Sequence, residues 1–130
     1  MQENQLKKLL KTYGPDHVLA YVRWAPTAYS SANNQALTEA MGVSSVRQTA
    51  AGTFTINFAV KPKAIIPLSA EAIDNGTTVY NFTRVESTSA SAGTAAVTHK
   101  SVAFANVASG PSASDTVDEL CFAFLLRIAN

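Results

Sequence analysis

The chain has 130 residues and a mass of 13.7 kDa, which is enough for one ordinary domain and too little for two. Ten Lys and Arg residues against nine Asp and Glu give a formal net charge of +1, which argues against nucleic acid or an anionic membrane as a partner. The hydrophobic fraction of 47% and the charged fraction of 15% exclude a disordered chain. The single cysteine, Cys121, excludes an intrachain disulfide framework and a multi-cysteine zinc site.

Residues 1–14 differ from the rest of the chain in their hydrophobic period. Four apolar side chains recur there at helical spacing, namely Leu6, Leu9, Leu10 and Tyr13. Lys7, Lys8 and Lys11 occupy the other face, and Gly14-Pro15 ends the pattern. The pattern predicts a short amphipathic helix that needs a surface to dock on, because so short a helix is marginal alone in water. That surface is either its own domain or a neighbouring subunit or larger assembly.

From His17 onward the period changes from 3.6 to 2, which predicts strands separated by turns. The predicted strands are residues 18–24, 43–48, 53–60, 64–73, 77–85, one bulged strand or two short ones across 95–107, and 117–128. A polar connection at 27–42 contains a short helical turn at 35–41, and exposed loops cover 86–94 and 108–115. We therefore expect an all-β fold over residues 17–130: an antiparallel β-sandwich, most simply a jelly roll of seven to eight strands.

The last predicted strand is apolar on both faces. One face carries Leu120, Phe122, Phe124 and Leu126, and the other carries Cys121, Ala123 and Leu125. A strand of this kind is central in a sheet or lies at a subunit contact. We expect the first set to be core residues or residues of a trimer interface.

No arrangement typical of catalysis is evident in the sequence. His17 and His99 are the only histidines, and they fall on different predicted strands. Cys121 lies in the most apolar segment, where a thiol is usually a packing group. No nucleophile elbow and no phosphate-binding loop occurs. The sequence therefore favours a binding or structural protein without catalytic residues over an enzyme.

The remaining polar patches are explained without a ligand. Asp115, Asp118 and Glu119 form the one dense acidic cluster, but they lack the spacing of a calcium loop and are interpreted as solvated side chains. Tyr21, Arg23 and Trp24 form the one basic and aromatic patch. We expect both aromatic rings to pack into the sandwich and the arginine to pair outward. No metal and no cofactor is predicted.

Residues 43–58, Val-Ser-Ser-Val-Arg-Gln-Thr-Ala-Ala-Gly-Thr-Phe-Thr-Ile-Asn-Phe, resemble the C1q-like, jelly-roll domains of tailed-bacteriophage virion proteins. In those domains a valine strand and a basic residue precede small residues, Gly-Thr-Tyr or Gly-Thr-Phe, and an alternating strand that ends in Phe. Val46-Arg47, Gly52, Thr53, Phe54 and Phe58 match this pattern. The resemblance extends over about residues 24–128 and includes tail fibres and capsid decoration, or cement, proteins.

The resemblance implies a homotrimer with small and apolar residues at the threefold axis. It also implies a virion location, and the polar start at Met1 is consistent with a chain made in the host cytoplasm. No long repetitive shaft precedes the β domain, which favours a decoration protein bound to the major capsid protein lattice. The alternative is a tail-fibre tip or lectin-like module that binds a receptor or glycan through loops 75–76, 86–93 and 109–115.

Overall fold

The structure is a computed structural model that describes residues 16–76 and 78–128. Its strands, in chain order, are β1 (His17–Trp24), β2 (Asn33–Asn34), β3 (Leu37–Met41), β4 (Val43–Ala50), β5 (Thr53–Phe58), β6 (Ala64–Ile73), β7 (Val79–Ser89), β8 (Thr94–Ala103), β9 (Ser112–Ala113) and β10 (Glu119–Arg127). A 3-10 helix spans Phe104–Ser109. The predicted helix at residues 1–14 lies outside the described residues.

The strands form two antiparallel sheets that pack face to face. One sheet has the order β3-β1-β10-β6, and the other has the order β2-β4-β5-β8-β7 with β9 paired to β8. Alternation of apolar and polar residues drives this packing, since β1, β4, β5, β8 and β10 bury side chains between the sheets. The predicted all-β antiparallel sandwich is confirmed. The chain crosses repeatedly from one sheet to the other, as in a jelly roll. In the described part of the chain, eight strands have five or more residues.

Aromatic side chains fill the space between the sheets. Trp24 stacks on Phe122 with ring centroids 5.6 Å apart and meets Phe54 edge-on at 5.2 Å. Phe58 and Phe124 make a second edge-on pair at 5.1 Å. Offset and edge-on contacts of this kind stabilise a core beyond the area that they bury. The core therefore joins β1 and β10 of one sheet to β5 of the other.

Three predicted elements are wrong in whole or in part. The predicted strand across residues 95–107 ends at Ala103, and Phe104–Ser109 is a 3-10 helix. The predicted helical turn at residues 35–41 is instead strand β3, which pairs with β1 from Tyr21–Met41 to Trp24–Leu37. The predicted loop at residues 86–94 is largely strand, because β7 continues to Ser89 in register with β8. In these last two cases backbone pairing with a neighbouring strand outweighs the local preference of polar and small residues.

The last strand has the central position that its composition predicts. β10 lies between β1 and β6 and pairs with both along its length. Leu120, Phe122, Phe124 and Leu126 are all buried in the core of the single chain. The structure therefore places these four in the interior of the sandwich, away from any surface available to another subunit.

Candidate functional site

The interior of the sandwich has a polar end. Gln48, on the inward face of β4, and His99, on the inward face of β8, are both completely buried, and Gln35 is nearly so. Buried polar groups are costly unless they are hydrogen-bonded, so each of these side chains requires a partner. The hydrogen bonds of this region decide whether it is a site or a structural support.

Asp115 is the centre of these hydrogen bonds. Its Oδ1 accepts from the Gly52 amide at 2.7 Å and from Gln48 Nε2 at 2.8 Å, and its Oδ2 accepts from the Tyr29 amide at 3.0 Å. Gln48 Oε1 in turn accepts from Gln35 Nε2 at 3.2 Å. These bonds join the long connection after β1, the β4–β5 turn and the loop before β10. The carboxylate therefore acts as a structural tie between three loops.

Gly52 is essential to this arrangement because of its backbone. Its φ is +66°, and a Cβ at this position would lie 2.4 Å from the carbonyl oxygen of His99 and 2.8 Å from the amide nitrogen of Ser114. The Gly52 carbonyl also accepts a hydrogen bond from the His99 amide at 2.8 Å. Only glycine combines this conformation with so close a backbone approach. The Gly-Thr-Phe signal of the sequence thus marks a point where three chain segments meet.

His99 has one side-chain partner among the described residues. Its Nδ1 lies 2.9 Å from the hydroxyl of Thr83, while Nε2 has no hydrogen-bond partner in the described part of the chain. Burial lowers the pKa of His99, and the carboxylates of Asp74 and Asp115 oppose this shift. A hydroxyl beside an imidazole resembles a nucleophile and its base. However, the imidazole is completely buried and has no third group to orient it, so the pair is better explained as core packing.

The three residues of the predicted acidic cluster have separate partners. Asp115 binds the loops described above, and Asp118 accepts a hydrogen bond from the Asn75 amide at 2.7 Å. Glu119 lies 3.4 Å from the guanidinium of Arg23. The residues that the structure describes contain no group of three metal-binding side chains. The carboxylates therefore serve as local hydrogen-bond acceptors and ion-pair partners.

The predicted basic and aromatic patch is divided between the two sides of β1. Trp24 is buried in the core, as expected. Arg23 points outward and lies between Glu39, at 3.7 Å, and Glu119. The prediction for Tyr21 was wrong, because its hydroxyl donates to Glu39 at 2.6 Å on the outer side of the sheet. Alternation along the strand requires this, since Tyr21 and Trp24 lie an odd number of positions apart.

A surface that the sequence did not predict lies along the edge strand β7. We call it the apolar edge, and its four members are large side chains that are each about half exposed: Tyr80, Phe82, Phe104 and Val107. Tyr80 and Phe82 alternate with the inward residues Asn81 and Thr83, and Phe104 packs on Tyr80 with ring centroids 4.4 Å apart. β7 pairs only with β8, so its other backbone edge has no strand partner in the described part of the chain.

The orientation of β7 explains why this surface exists. Thr83 must face inward to reach His99. The side-chain Nδ2 of Asn81 donates a hydrogen bond to Asp74 Oδ2 at 3.0 Å. These bonds turn the alternating phenylalanine and tyrosine outward, although a hydrophobic pattern alone would direct them to the core. The signal in the sequence is a set of polar residues: Asn81 and Thr83 on β7, His99 on the paired strand β8, and Asp74 in the connection before β7. Its interpretation needs the register of β7 against β8.

A groove of about 500 Å³ lies beside the apolar edge. Phe82 and Pro111 form its apolar wall, and Arg84 and Lys100 supply positive charge. Arg84 donates two hydrogen bonds to the carboxylate of Glu86 and forms an ion pair with it. The hydroxyl of Thr98 donates a further hydrogen bond to Glu86. These hydrogen bonds, chiefly those from Arg84, lower the pKa of Glu86 to about 2, so its carboxylate stays ionised at neutral pH. The groove therefore has an aromatic wall next to fixed charges.

Residues Leu6, Leu9, Leu10 and Tyr13 of the predicted docking stripe lie outside the described residues. Among those that are described, no helix combines the length and hydropathy needed to cross a membrane. Comparisons of the chain with protein families, curated proteins and solved structures found no match. Function must therefore be inferred from the sequence and from the surfaces described above.

Proposed function

We propose that the chain is a non-enzymatic structural protein of a bacteriophage virion, a homotrimeric decoration protein that binds the major capsid protein lattice and stabilises the shell. The observation that carries the proposal is the apolar edge. Half-exposed aromatic residues on a strand at the edge of a sheet are typical of a surface that contacts another protein. The resemblance of residues 43–58 to phage virion domains supplies the biological setting.

The apolar edge is assigned to the contact between copies of the chain. The β10 residues that the sequence offered as a trimer interface are buried within one chain, so the contact must lie elsewhere. The apolar edge joins two exposed aromatics of β7 to one of the 3-10 helix. Each aromatic side chain can bury about 150 to 250 Å² in a contact, so three half-exposed rings supply a few hundred Å² of apolar area on each subunit. Burial at roughly 25 cal/mol per Å² makes this area the energetic centre of an interface.

Shell stabilisation follows from repetition of the same contact. A decoration protein acts without chemistry, by adding buried area across junctions of capsid proteins in many copies. A stiff sandwich suits this role because its core does not rearrange on binding. The polar end contributes by tying three loops to that core through Asp115.

The proposal is tested by imaging virions of the phage that encodes the chain. We expect threefold density on the outer surface of the capsid that accommodates the sandwich. A matched pair of variants on β7 examines the interface: Phe82→Asp places a charge in the apolar edge, and Thr88→Asp places one at an exposed position farther along the same strand. Phe82→Asp is expected to reduce capsid occupancy, and Thr88→Asp to preserve it. Density at the tail, or no density, would reject the decoration role.

The groove favours one alternative, a tail-fibre tip that binds a glycan. Sugars are commonly held by an aromatic face together with fixed polar groups, and Phe82 beside Arg84 and Glu86 offers both. Of the three loops that the sequence nominated for this ligand, only residue Pro111 of 109–115 lines the groove. A glycan array with the wild-type chain and Arg84→Ala distinguishes the proposals. Specific binding that is lost in the variant would favour the tip module.

A further inference from the structure

The connection between β6 and β7 contains a pair of residues that is prone to covalent change. It joins the edge strands of the two sheets, and Asn75 and Gly76 are both exposed within it. In an Asn-Gly pair the glycine amide nitrogen can attack the asparagine side chain, because no Cβ on the glycine obstructs the approach. Asn75 is the one asparagine of the sequence that a glycine follows. The pair is therefore the position in this chain where deamidation is least hindered.

The amide that would attack is already held by a carboxylate. The Gly76 amide donates a hydrogen bond to Asp74 Oδ1 at 2.9 Å. Asn81 Nδ2 donates to Asp74 Oδ2 at 3.0 Å, so both oxygens of the carboxylate are fixed in place. A Cβ built on Gly76 would lie 3.1 Å from Asp74 Oδ1, which shows how closely the carboxylate approaches this backbone position. The proton that the attack must remove therefore lies directly on an acceptor.

Asn75 is held by its backbone and not by its side chain. Its amide donates a hydrogen bond to Asp118 Oδ2 at 2.7 Å, which ties the connection to the loop before β10. Its side-chain amide forms no hydrogen bond with any residue that the structure describes. The Asn75 side chain can therefore rotate toward the Gly76 nitrogen while the backbone on either side is held.

The carboxylate of Asp74 is ionised at neutral pH. The hydrogen bonds from Asn81 and from the Gly76 amide hold its pKa below the usual value of 3.8. A carboxylate with a low pKa is a weak base, so its contribution to a reaction depends on its position rather than on its strength. The two hydrogen bonds supply that position.

We propose that Asn75 is a site of spontaneous deamidation at which Asp74 acts as the general base. The Gly76 nitrogen bonds to Cγ of Asn75, and Asp74 Oδ1 takes the proton from that nitrogen. The carboxylate passes this proton to Asn75 Nδ2, the Cγ–Nδ2 bond breaks, and ammonia leaves a cyclic succinimide. Water then opens the ring at either carbonyl, which gives aspartate or isoaspartate at position 75. The sequence of steps consumes one water, releases one ammonia and changes no oxidation state.

The hydrogen bond to the attacking amide has two opposite effects on the rate. It restrains the nitrogen, which slows the attack, and it places a base on the proton, which speeds the attack. The second effect is the larger one here, because the Asn75 side chain is exposed and can move to the nitrogen. The two effects predict opposite results when Asp74 is removed, so an experiment can separate them.

The product changes both the charge and the length of the connection. A new carboxylate at position 75 lies next to Asp74 in the chain and beside Asp118, so like charges gather in one loop. Isoaspartate also places a methylene group in the main chain, which lengthens the path between the two sheets. Both changes weaken the hydrogen bond between the residue 75 amide and Asp118. The proposal concerns the domain itself and does not depend on the virion role.

Peptide mass spectrometry of the full chain, incubated at neutral pH and then digested with trypsin, tests the proposal. The tryptic peptide 64–84 contains both Asn75 and Asn81, so Asn81 is an internal reference in every sample. Asp74→Ser removes the base. Asp118→Ser is the matched control, because it releases the Asn75 amide but leaves the Gly76 bond in place.

Asp74→Ser is expected to slow the modification of Asn75 at least about tenfold, and Asp118→Ser to leave the rate unchanged or raise it. An unchanged or higher rate in Asp74→Ser would show that the hydrogen bond only restrains the amide, and would overturn the proposal. An equal loss of rate in both variants, or a wild-type chain in which Asn75 reacts no faster than Asn81, would also overturn it.

A second measurement needs no variant and covers the case in which Asp74→Ser folds poorly. In concentrated urea the chain unfolds and Asp74 no longer holds the Gly76 amide, although the covalent sequence is the same. The folded wild-type chain is expected to modify Asn75 about tenfold faster than the unfolded chain at the same pH and temperature. Equal or slower modification in the folded chain would contradict a base that the fold positions.

Discussion

β10 and β7 are both rich in aromatic and aliphatic residues, but the structure uses them in opposite ways. β10 lies between two strands and buries Leu120, Phe122, Phe124 and Leu126 completely. β7 lies at an edge and leaves Tyr80 and Phe82 about half exposed. The difference shows that apolar content alone does not distinguish a core strand from a contact strand. The position of a strand in its sheet, and the partners of the polar residues between its apolar ones, decide which of the two it becomes.

The largest expected effect comes from removing the same side chain from each strand. Phe122→Ala is expected to lower the free energy of unfolding by about 3 to 5 kcal/mol, because it leaves a cavity beside Trp24. Phe82→Ala is expected to lower it by less than about 1 kcal/mol. Denaturant unfolding at a protein concentration that keeps the chains apart measures both. Similar losses in the two variants would contradict the contrast.

Variants at the β4–β5 turn separate the cost of an unfavourable φ from the cost of a collision with nearby backbone. Gly52→Ala is expected to cost about 2 to 4 kcal/mol, since a Cβ would collide with the backbone of His99 and Ser114. Gly93→Ala is the matched control, because Gly93 has a similar φ of +70° but a Cβ added there would come no closer than 3.4 Å to another atom. Its expected cost is about 1 kcal/mol. Thermal unfolding of both variants would reveal whether close approach, beyond the dihedral, makes the difference.

The polar end is tested through its central carboxylate. Asp115→Asn keeps the shape of the side chain but replaces an acceptor by a donor, so one of the Gly52, Gln48 and Tyr29 donors loses its partner. The expected loss is about 2 kcal/mol. Asp118→Asn removes a charge from an exposed bond to the Asn75 amide and is expected to cost less than about 1 kcal/mol. Equal stability of the two variants would argue that Asp115 does not tie the loops together.

The smallest expected effect is a pH dependence that arises from His99. Its pKa is lowered in the folded chain from 6.5, so the unfolded chain binds more protons just below that pH. The free energy of unfolding is therefore expected to fall as the pH decreases from about 7 to about 5, and to be regained as the pH rises. His99→Gln should flatten this part of the profile. Denaturant unfolding curves measured at several pH values test this. If the free energy of unfolding depends on pH equally in the variant and the wild type, the effect belongs to another group.

The sequence predicted the sandwich because most of its strands bury one face and therefore alternate. It also offered a central position as one of two places for β10, the other being a subunit contact, since both faces of that strand are apolar. It missed β3 and the end of β7, whose strand conformation comes from pairing with β1 and β8. It also missed the apolar edge. Phe82 points outward because its neighbour Thr83 points inward to contact His99, which lies on a different strand. Such long-range contacts leave no local pattern.

Sedimentation equilibrium of the wild-type chain tests most directly whether the apolar edge joins copies of this protein. We expect a trimer for the wild type and for Thr88→Asp, and a monomer for Phe82→Asp with an unchanged circular dichroism spectrum. A wild-type chain that remains monomeric at every concentration, or a Phe82→Asp variant that still forms trimers, would contradict the assignment.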